Sequence, residues 1–293
     1  MGELAELLKD SQPQVSRKAA PLRDAGLLDA RRDGTRTWLH LRPQLANDSV
    51  VADALSLGRT YCLDDGSLAR LPGVVARRED KGRSHFEDAP PAAELPATPS
   101  HLAHLLALAP LIPSRALAVD VGAGDGLLLD VLAPLFTRVI AVDRSRAQLA
   151  RLSDRVASRG FHNVSLFAGE YDDGALLQRV DSAGGADVVF AGRTLHHASR
   201  PASAVESFAR LLRKGGHLVV LDYLRHDDEQ MRTAHGDVWL GFPVDDVRGF
   251  CTSAGLQLVT DLPIPPMFHA HGPDAALTWH AWVARKASPP VVS

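Results

Sequence analysis

Three glycines at alternate positions follow a short apolar run that ends near an acidic side chain. The glycines are Gly122, Gly124 and Gly126, and Asp120 lies two residues before the first of them. Glycine lets a backbone turn sharply and approach a ligand closely, and a helix beginning near Leu127 would point its N–H groups at that ligand. The spacing therefore predicts that a nucleotide-type ligand binds between a strand and a helix.

The glycine spacing distinguishes between classes of nucleotide. Dinucleotide-binding loops have the pattern G-x-G-x-x-G, whereas this loop has G-x-G-x-G with an acid before it. The loop resembles the first motif of the class I S-adenosylmethionine (SAM) methyltransferases. In that family the carboxylate at the position of Asp120 lies near the cationic methionine end of the cofactor. The resemblance implies SAM as the cofactor and S-adenosylhomocysteine as its product.

A second acid ends the next apolar run, residues 139–143. Nucleotide-binding folds place a carboxylate about 20 residues after the loop, where it accepts the ribose hydroxyls, and Asp143 occupies this place. Its alternative role is to cap a helix that begins near Arg146. Glu170 stands where the family usually has an aspartate beside the adenine, and Asp172 is the alternative. The expected cofactor-binding residues are Asp120, Gly122, Ala123, Gly124, Gly126, Asp143, Arg144, Gly169, Glu170, Tyr171, Gly192 and Arg193.

Histidines follow two of the predicted strands. Transfer of a reactive methyl group depends mainly on positioning the acceptor, and histidine is the usual base where one is needed. The turn at residues 195–197 resembles that of the small-molecule branch of the family. It lacks the Asn/Asp-Pro-Pro-Tyr of the nucleic-acid branch, so we expect a small-molecule methyl acceptor. The candidate catalytic residues are His196, His197, Tyr223 and His226.

The aromatic and charged segment at residues 223–242 is expected to cover the acceptor pocket. His226, Asp227 and Glu229 could in principle ligate a metal, but their spacing matches no familiar zinc pattern. We therefore expect no metal site.

Strand and helix patterns alternate around these motifs and predict a Rossmann-like α/β fold. We expect a seven-stranded, mostly parallel sheet with helices on both faces and an antiparallel end. After the first two strands the predicted strands are 164–167, 186–191, 217–222, 256–260 and 278–284, with helices at 201–212 and 244–254.

The first 43 residues predict a different module. Two short helices, 3–8 and 12–22, precede two strands joined at Asp33-Gly34, which is typical of a winged helix-turn-helix. Residues 14–43 hold seven Lys/Arg and three Asp/Glu, a modest basic excess suited to DNA. The alternative is a helical hairpin used only for packing. The DNA-binding candidates are Gln12, Gln14, Ser16, Arg17, Lys18, Arg31, Arg32 and Arg36.

The residues from Glu3 to Leu27 resemble the arsenic-repressor (ArsR) family of winged-helix transcription factors. The resemblance implies a double-stranded DNA operator and a homodimer formed through helices such as those predicted within residues 45–75. That family's first helix has no counterpart in a sequence that starts at Met1, as is expected of a truncated chain. Its metal-sensing cysteines are replaced by Met1-Gly2. Pro21 is expected to kink or shorten the second helix.

Length and composition fit a two-module protein of the cytoplasm. The 293 residues are 45% hydrophobic and 23% charged, and the net charge of −3 excludes neither module. Two distant cysteines indicate no disulfide framework, and no apolar run approaches the ~18 residues of a membrane span. The expected divisions are a winged helix at 1–43, a connector and proline-rich linker at 44–99, a methyltransferase at 100–286 and a tail at 287–293.

Two functions follow from this organisation. The first is a SAM-dependent methyltransferase that acts on a small molecule and is fused to a DNA-binding regulator. The second is a transcription factor of the ArsR type that senses SAM or S-adenosylhomocysteine without turnover.

Overall fold

The computed structural model describes residues 1–33, 36–42, 45, 48–88, 99–269 and 272–287. The chain divides into two compact units, one of Met1–Lys81 with Asp227–Glu229 and the other of Gly82–His226 with Gln230–Ser293. The predicted proline-rich linker at residues 89–98 and the tail from residue 288 lie outside the described residues. No helix within the described ranges has the length and apolar character that a membrane crossing requires.

The first unit begins with two helices and a hairpin. The Ser11 hydroxyl caps the second helix by accepting a hydrogen bond from the Gln14 backbone N–H, and Val15 and Ala19 form its buried side. This helix continues through Pro21, so the predicted shortening is wrong; a helical φ suits proline, and only the bond to the preceding turn is lost. The elements are α1 (Gly2–Leu8), α2 (Gln12–Asp24), β1 (Leu28–Asp33) and β2 (Arg36–Leu41), with β1 and β2 antiparallel.

Three helices follow the hairpin, and the carboxylate of Asp48 caps the first of them. The second extends well beyond residue 75, where the predicted helices ended, and includes the charged run at 77–82. Pro99 begins a helix instead of ending the linker, because proline is well suited to the first helical turn. The three are α3 (Ser49–Asp64), α4 (Ser67–Asp88) and α5 (Pro99–Leu108).

A seven-stranded sheet forms the centre of the second unit. Its strand order is β5-β4-β3-β6-β7-β9-β8; β3 to β7 pair in parallel, and β9 lies antiparallel between β7 and β8. This arrangement confirms the predicted Rossmann-like fold with an antiparallel end. The strands are β3 (Leu117–Val121), β4 (Arg138–Asp143), β5 (Val164–Ala168), β6 (Ala186–Gly192), β7 (Leu212–Tyr223), β8 (Leu256–Pro263) and β9 (Trp279–Lys286).

Helices cover both faces of this sheet, which explains why its central strands are continuous apolar runs. Neighbouring residues of β3 belong to different hydrophobic clusters, Ala118 on one face and Val119 on the other. The helices are α6 (Leu129–Leu135), α7 (Arg146–Arg159), α8 (Gly174–Ser182), α9 (Pro201–Leu211), α10 (Gln230–His235) and α11 (Val244–Ser253).

Strand β7 begins earlier than predicted. Leu212 already pairs with Ala186, and His217 pairs with Val188, so residues 213–216 form a bulge between two paired positions. The sequence Arg-Lys-Gly-Gly predicted a turn before the strand. These four residues instead lie within the strand. β6 and β7 pair in parallel as far as Gly192 and Leu221, so the last residues of β7 lie beside the end of β6.

Candidate functional site

The glycine loop follows β3 and is held against β4. The backbone N–H groups of Gly122 and Ala123 both donate to the carbonyl of Val142, at 2.9 and 3.0 Å. A Cβ on Gly122 would lie 2.6 Å from the side chain of Thr194, whereas a Cβ on Gly124 would meet nothing within 4 Å. The backbone at Gly124 therefore faces open space, where a ligand can approach it.

Asp143, at the end of β4, binds this loop. Its Oδ2 accepts a hydrogen bond from the Gly124 N–H at 2.8 Å, and its Oδ1 accepts from the Ser145 N–H at 2.8 Å. The cap of α7 is Ser145, whose hydroxyl accepts from the Gln148 N–H at 3.3 Å. The alternative capping role of Asp143 thus belongs to Ser145, and Asp143 links the loop to the tip of the second strand.

Asp120 is a buried carboxylate beside the same loop. Its Oδ2 has no hydrogen-bond partner among the described residues. Burial, and next the nearby charge of Asp143, raise the pKa of Asp120 to about 7. A cationic group would stabilise the ionised form of such a carboxylate, so this position fits the positively charged end of a ligand.

Three of the remaining candidates for cofactor binding, Arg144, Gly169 and Glu170, lie close to the end of β4. Nη1 of Arg144 lies 3.5 Å from Oε1 of Glu170, and the Gly169 N–H donates to the backbone carbonyl of Asp143 at 3.0 Å. Glu170 is half-buried, whereas Asp172, the alternative adenine contact, is exposed. Gly126 packs closely on α7, Gly192 ends β6, and Tyr171 packs edge-on against Phe208 in the core.

Arg193 directly follows the end of β6 and is held by an aspartate from far along the chain. Its guanidinium lies 2.9 Å from Oδ2 of Asp274 and 5.2 Å from the ring centre of Trp279. Its φ of 54° is unusual for a side chain other than glycine and marks a constrained turn after β6. Asp274 and Trp279 were not predicted as site residues, because they lie far along the chain in a region without a recognised motif.

Tyr223 shares the same carboxylate. Its hydroxyl donates to Oδ2 of Asp274 at 2.8 Å. Burial, and then the charge of Asp274, place the pKa of Tyr223 far above its usual range. Tyr223 therefore keeps its proton at neutral pH, which suits it to hydrogen-bond donation rather than to proton abstraction.

His196 lies between two carboxylates. Its Nδ1 is 2.7 Å from Oδ1 of Asp222, and its Nε2 is 3.6 Å from Oδ1 of Asp237. Burial alone would lower the pKa of His196, but the charges of Asp222 and Asp237 outweigh it and raise the value to about 9. His196 is thus a fixed positive charge at neutral pH, while the half-buried rings of His197 and His226 lie nearby.

Part of the segment that ends at Phe242 is bonded to His196. Leu224 and Phe242 are bridged at its ends, and the N–H groups of Val238 and Trp239 donate to the carbonyl of His196 at 3.1 and 2.9 Å. The indole N–H of Trp239 donates to the Ala198 carbonyl at 2.9 Å. The segment that was expected to cover the acceptor pocket is therefore anchored to the turn after β6. That it covers an acceptor stays a prediction.

The candidate DNA-binding residues are mostly at the surface. Gln12, Gln14, Ser16, Arg17 and Lys18 are exposed on α2. The ammonium group of Lys18 lies 2.6 Å from Asp10. On β1, Arg32 is exposed and Arg31 is half-buried, whereas the side chain of Arg36 lies outside the described part of the structure.

Comparison with known proteins identifies the domain that contains this loop. Residues 119–218 match the family model described as a methyltransferase domain. No curated protein matches the chain.

Solved structures share the fold of the second unit. The N-methyltransferase NodS from Bradyrhizobium japonicum, in complex with S-adenosylhomocysteine, has 18% identity and a TM-score of 0.50, covering 72% of this chain and 99% of its own. The [4+2]-cyclase SpnF has 16% identity and a TM-score of 0.50, covering 69% of this chain and 86% of its own. At such identities the similarity establishes the fold alone.

Proposed function

Residues 119–218 match a methyltransferase domain, and from this premise we propose that the chain is a class I SAM-dependent enzyme that transfers the methyl group of SAM to a small molecule. The observation that carries the proposal is the relationship between Asp120, Gly124 and Asp143. A buried carboxylate with a free oxygen, a backbone open to a ligand and a second carboxylate at the strand tip suit a cofactor with a cationic end and a ribose.

Each of these residues has a distinct role in the proposal. Asp120 pairs with the cationic methionine end, the Gly124 backbone allows close approach, and Asp143 accepts the ribose hydroxyls while it holds the loop. Arg144 and Glu170, which lie 3.5 Å apart, contribute at the adenine side. When bound, SAM supplies an electrophilic methyl group on its sulfonium.

The acceptor site is proposed to lie beneath residues 224–242, at the ends of β6 and β7. The anchored segment would exclude water, and the positive charge of protonated His196 would orient the acceptor. Tyr223 would hold the wall of the site in place, because its one O–H group donates to Asp274. Where the acceptor must lose a proton, His197 and His226 are the candidate bases, because their rings are only half-buried.

The first unit is proposed to be a winged helix that binds a double-stranded DNA operator, which places the protein in the cytoplasm. Support comes from α1, α2 and the β1–β2 hairpin in sequence, with polar and basic side chains exposed along α2. Homodimerisation through α3 is part of the proposal, since that helix has no buried residue and exposes Val50, Leu57 and Leu63.

A second candidate is a sensor that binds SAM or S-adenosylhomocysteine without turnover. The protonation of both His196 and Tyr223 favours it, because neither buried candidate is available as a base at neutral pH. In this function the cofactor would alter DNA binding through a coupling free energy between the two units.

Turnover separates the two candidates. Purified protein is incubated with methyl-labelled SAM and with cell extract separated into small-molecule and macromolecular fractions. Release of S-adenosylhomocysteine with label in the small-molecule fraction supports the first function. Label in macromolecules would contradict the small-molecule acceptor, and binding of SAM without release in any fraction would favour the sensor.

A further inference from the structure

Two histidines and an aspartate converge at the turn after β6. His196, His197 and Asp237 each offer one atom that can ligate a metal, and these atoms all lie within 4.8 Å of one another. Imidazole nitrogen and carboxylate oxygen are common ligands of divalent first-row metals, zinc included. We propose that these three side chains bind a divalent transition metal ion of the zinc type.

The carboxylate of Asp237 independently points to a ligand. Its side chain is 1% exposed, and neither of its oxygens has a hydrogen-bond partner among the described residues. Buried carboxylates normally accept hydrogen bonds or coordinate a metal, because a buried oxygen without such a partner is costly. Oδ1 of Asp237 lies 3.6 Å from Nε2 of His196, so an ion that displaces the Nε2 proton to solvent would lie between these two atoms and satisfy the carboxylate.

The surroundings hold both groups in position for an ion. Nδ1 of His196 lies 2.7 Å from Asp222, and this contact turns Nε2 toward Asp237. Metal-bound histidines usually have such a carboxylate on their second nitrogen, which orients the ring and raises its basicity. On the other side, the bonds from the Val238 and Trp239 N–H groups to the His196 carbonyl fix the residues that follow Asp237.

Three protein ligands leave at least one coordination position open. Catalytic zinc sites have this composition and use the open position for water or substrate. Because His197 is only half-buried, an oxygen or sulfur donor of the acceptor could reach the open position from this side. His197 is then a ligand, which leaves His226 as the remaining base. This inference reverses the expectation of no metal, and it rests on side-chain geometry whether or not methyl transfer occurs.

The test uses the full chain after treatment with a chelator. Calorimetric titration with ZnCl₂ is expected to show one ion per chain, and CoCl₂ is expected to give the visible absorption of a low-symmetry site with nitrogen ligands. Asp237→Asn and His197→Gln should each weaken binding tenfold or more. The matched control is His217→Gln, a half-buried histidine on β7 outside the cluster, which should bind as the unaltered protein does.

Two outcomes would overturn the inference. One is absence of binding to the unaltered protein. The other is equal affinity in His197→Gln and His217→Gln, which would place the ion on other histidines among the 13 in the chain. Thermal unfolding identifies any variant that fails to fold. If Asp237→Asn does not fold, the metal affinity of His197→Gln tests the inference. A parallel titration with SAM tests the proposed function separately, because its failure leaves the metal result unchanged.

Discussion

Oδ1 of Asp222 lies 2.7 Å from Nδ1 of His196, and both side chains are almost fully buried. Asp222 also accepts from the His196 backbone N–H through Oδ2 and from the Tyr223 N–H through Oδ1. The carboxylate of Asp222 at the end of β7 therefore holds the turn after β6 in position and keeps His196 in that turn protonated. The arrangement depends on the parallel pairing that places Gly192 opposite Leu221.

Removal of this carboxylate is expected to destabilise the domain. Asp222→Ala leaves a buried imidazolium without its main partner, and breaking such a pair costs about 3–5 kcal/mol. Denaturant unfolding of the full chain measures the loss. The control is Asp261→Ala, which removes the more exposed partner of His280 and should cost much less. Equal losses of unfolding free energy in the two variants would show that the His196–Asp222 pair contributes no more to stability than the His280–Asp261 pair.

The affinity for SAM is expected to increase with pH through Asp120. Its pKa of about 7 means that the carboxyl is protonated in slightly acidic solution, and a cationic ligand must displace that proton. Affinity should therefore increase about tenfold or more from pH 5.5 to 7.5 and level off above it. Calorimetry across this range gives the profile. Asp120→Asn should bind weakly with a flat profile, and retention of the slope in that variant would assign it to another group.

Two glycines of the loop are expected to respond differently to alanine. Gly122→Ala places a Cβ 2.6 Å from Thr194 at a φ of 68°, so a loss of about 2–4 kcal/mol in unfolding free energy is expected. Gly124→Ala meets open space at a φ of 57° and should lose about 1–2 kcal/mol. Its affinity for SAM should nevertheless fall tenfold or more. Normal SAM binding by Gly124→Ala would contradict a close approach of the cofactor to the backbone of Gly124.

The apolar runs and their spacing were enough to predict a mostly parallel sheet with an antiparallel end and the loop after β3. They were sufficient because parallel strands buried on both faces must be almost wholly apolar, and only a few residue types allow the sharp turn. The cluster of His196, Asp222 and Asp237 was not predicted in full. Its members come from three separate segments, and only the register of β6 and β7 and the fold of residues 224–242 bring them together.

The start of β7 is a second feature that the local sequence could not predict. Arg213 to Gly216 has the composition of a turn, and local propensity alone places the strand after it. The pairing of Leu212 with Ala186 is a tertiary contact that the local sequence does not contain. Asp187 supports this pairing, since its side chain accepts hydrogen bonds from the Ala116 and Leu117 N–H groups and from Arg213.

DNA binding by the first unit is expected to depend on α2. Arg17→Ala should weaken binding to duplex DNA from upstream of the gene and reduce the salt dependence by about one phosphate contact. A mobility shift at several salt concentrations measures both effects. Arg210→Ala, an exposed arginine of α9, is the control and should bind normally. Equal binding by both variants, or no shift with the unaltered protein, would contradict the winged-helix proposal.

The central claim is that Asp120, Gly124 and Asp143 form the SAM site, and calorimetric titration tests it most directly. SAM and S-adenosylhomocysteine should each bind once per chain. Asp143→Ala should weaken SAM binding at least tenfold, because it removes the carboxylate that holds Gly124 and is proposed to accept the ribose hydroxyls. Asp154→Ala, on the exposed side of α7, should bind normally. Absence of binding to either compound, or unchanged affinity in Asp143→Ala, would contradict the account.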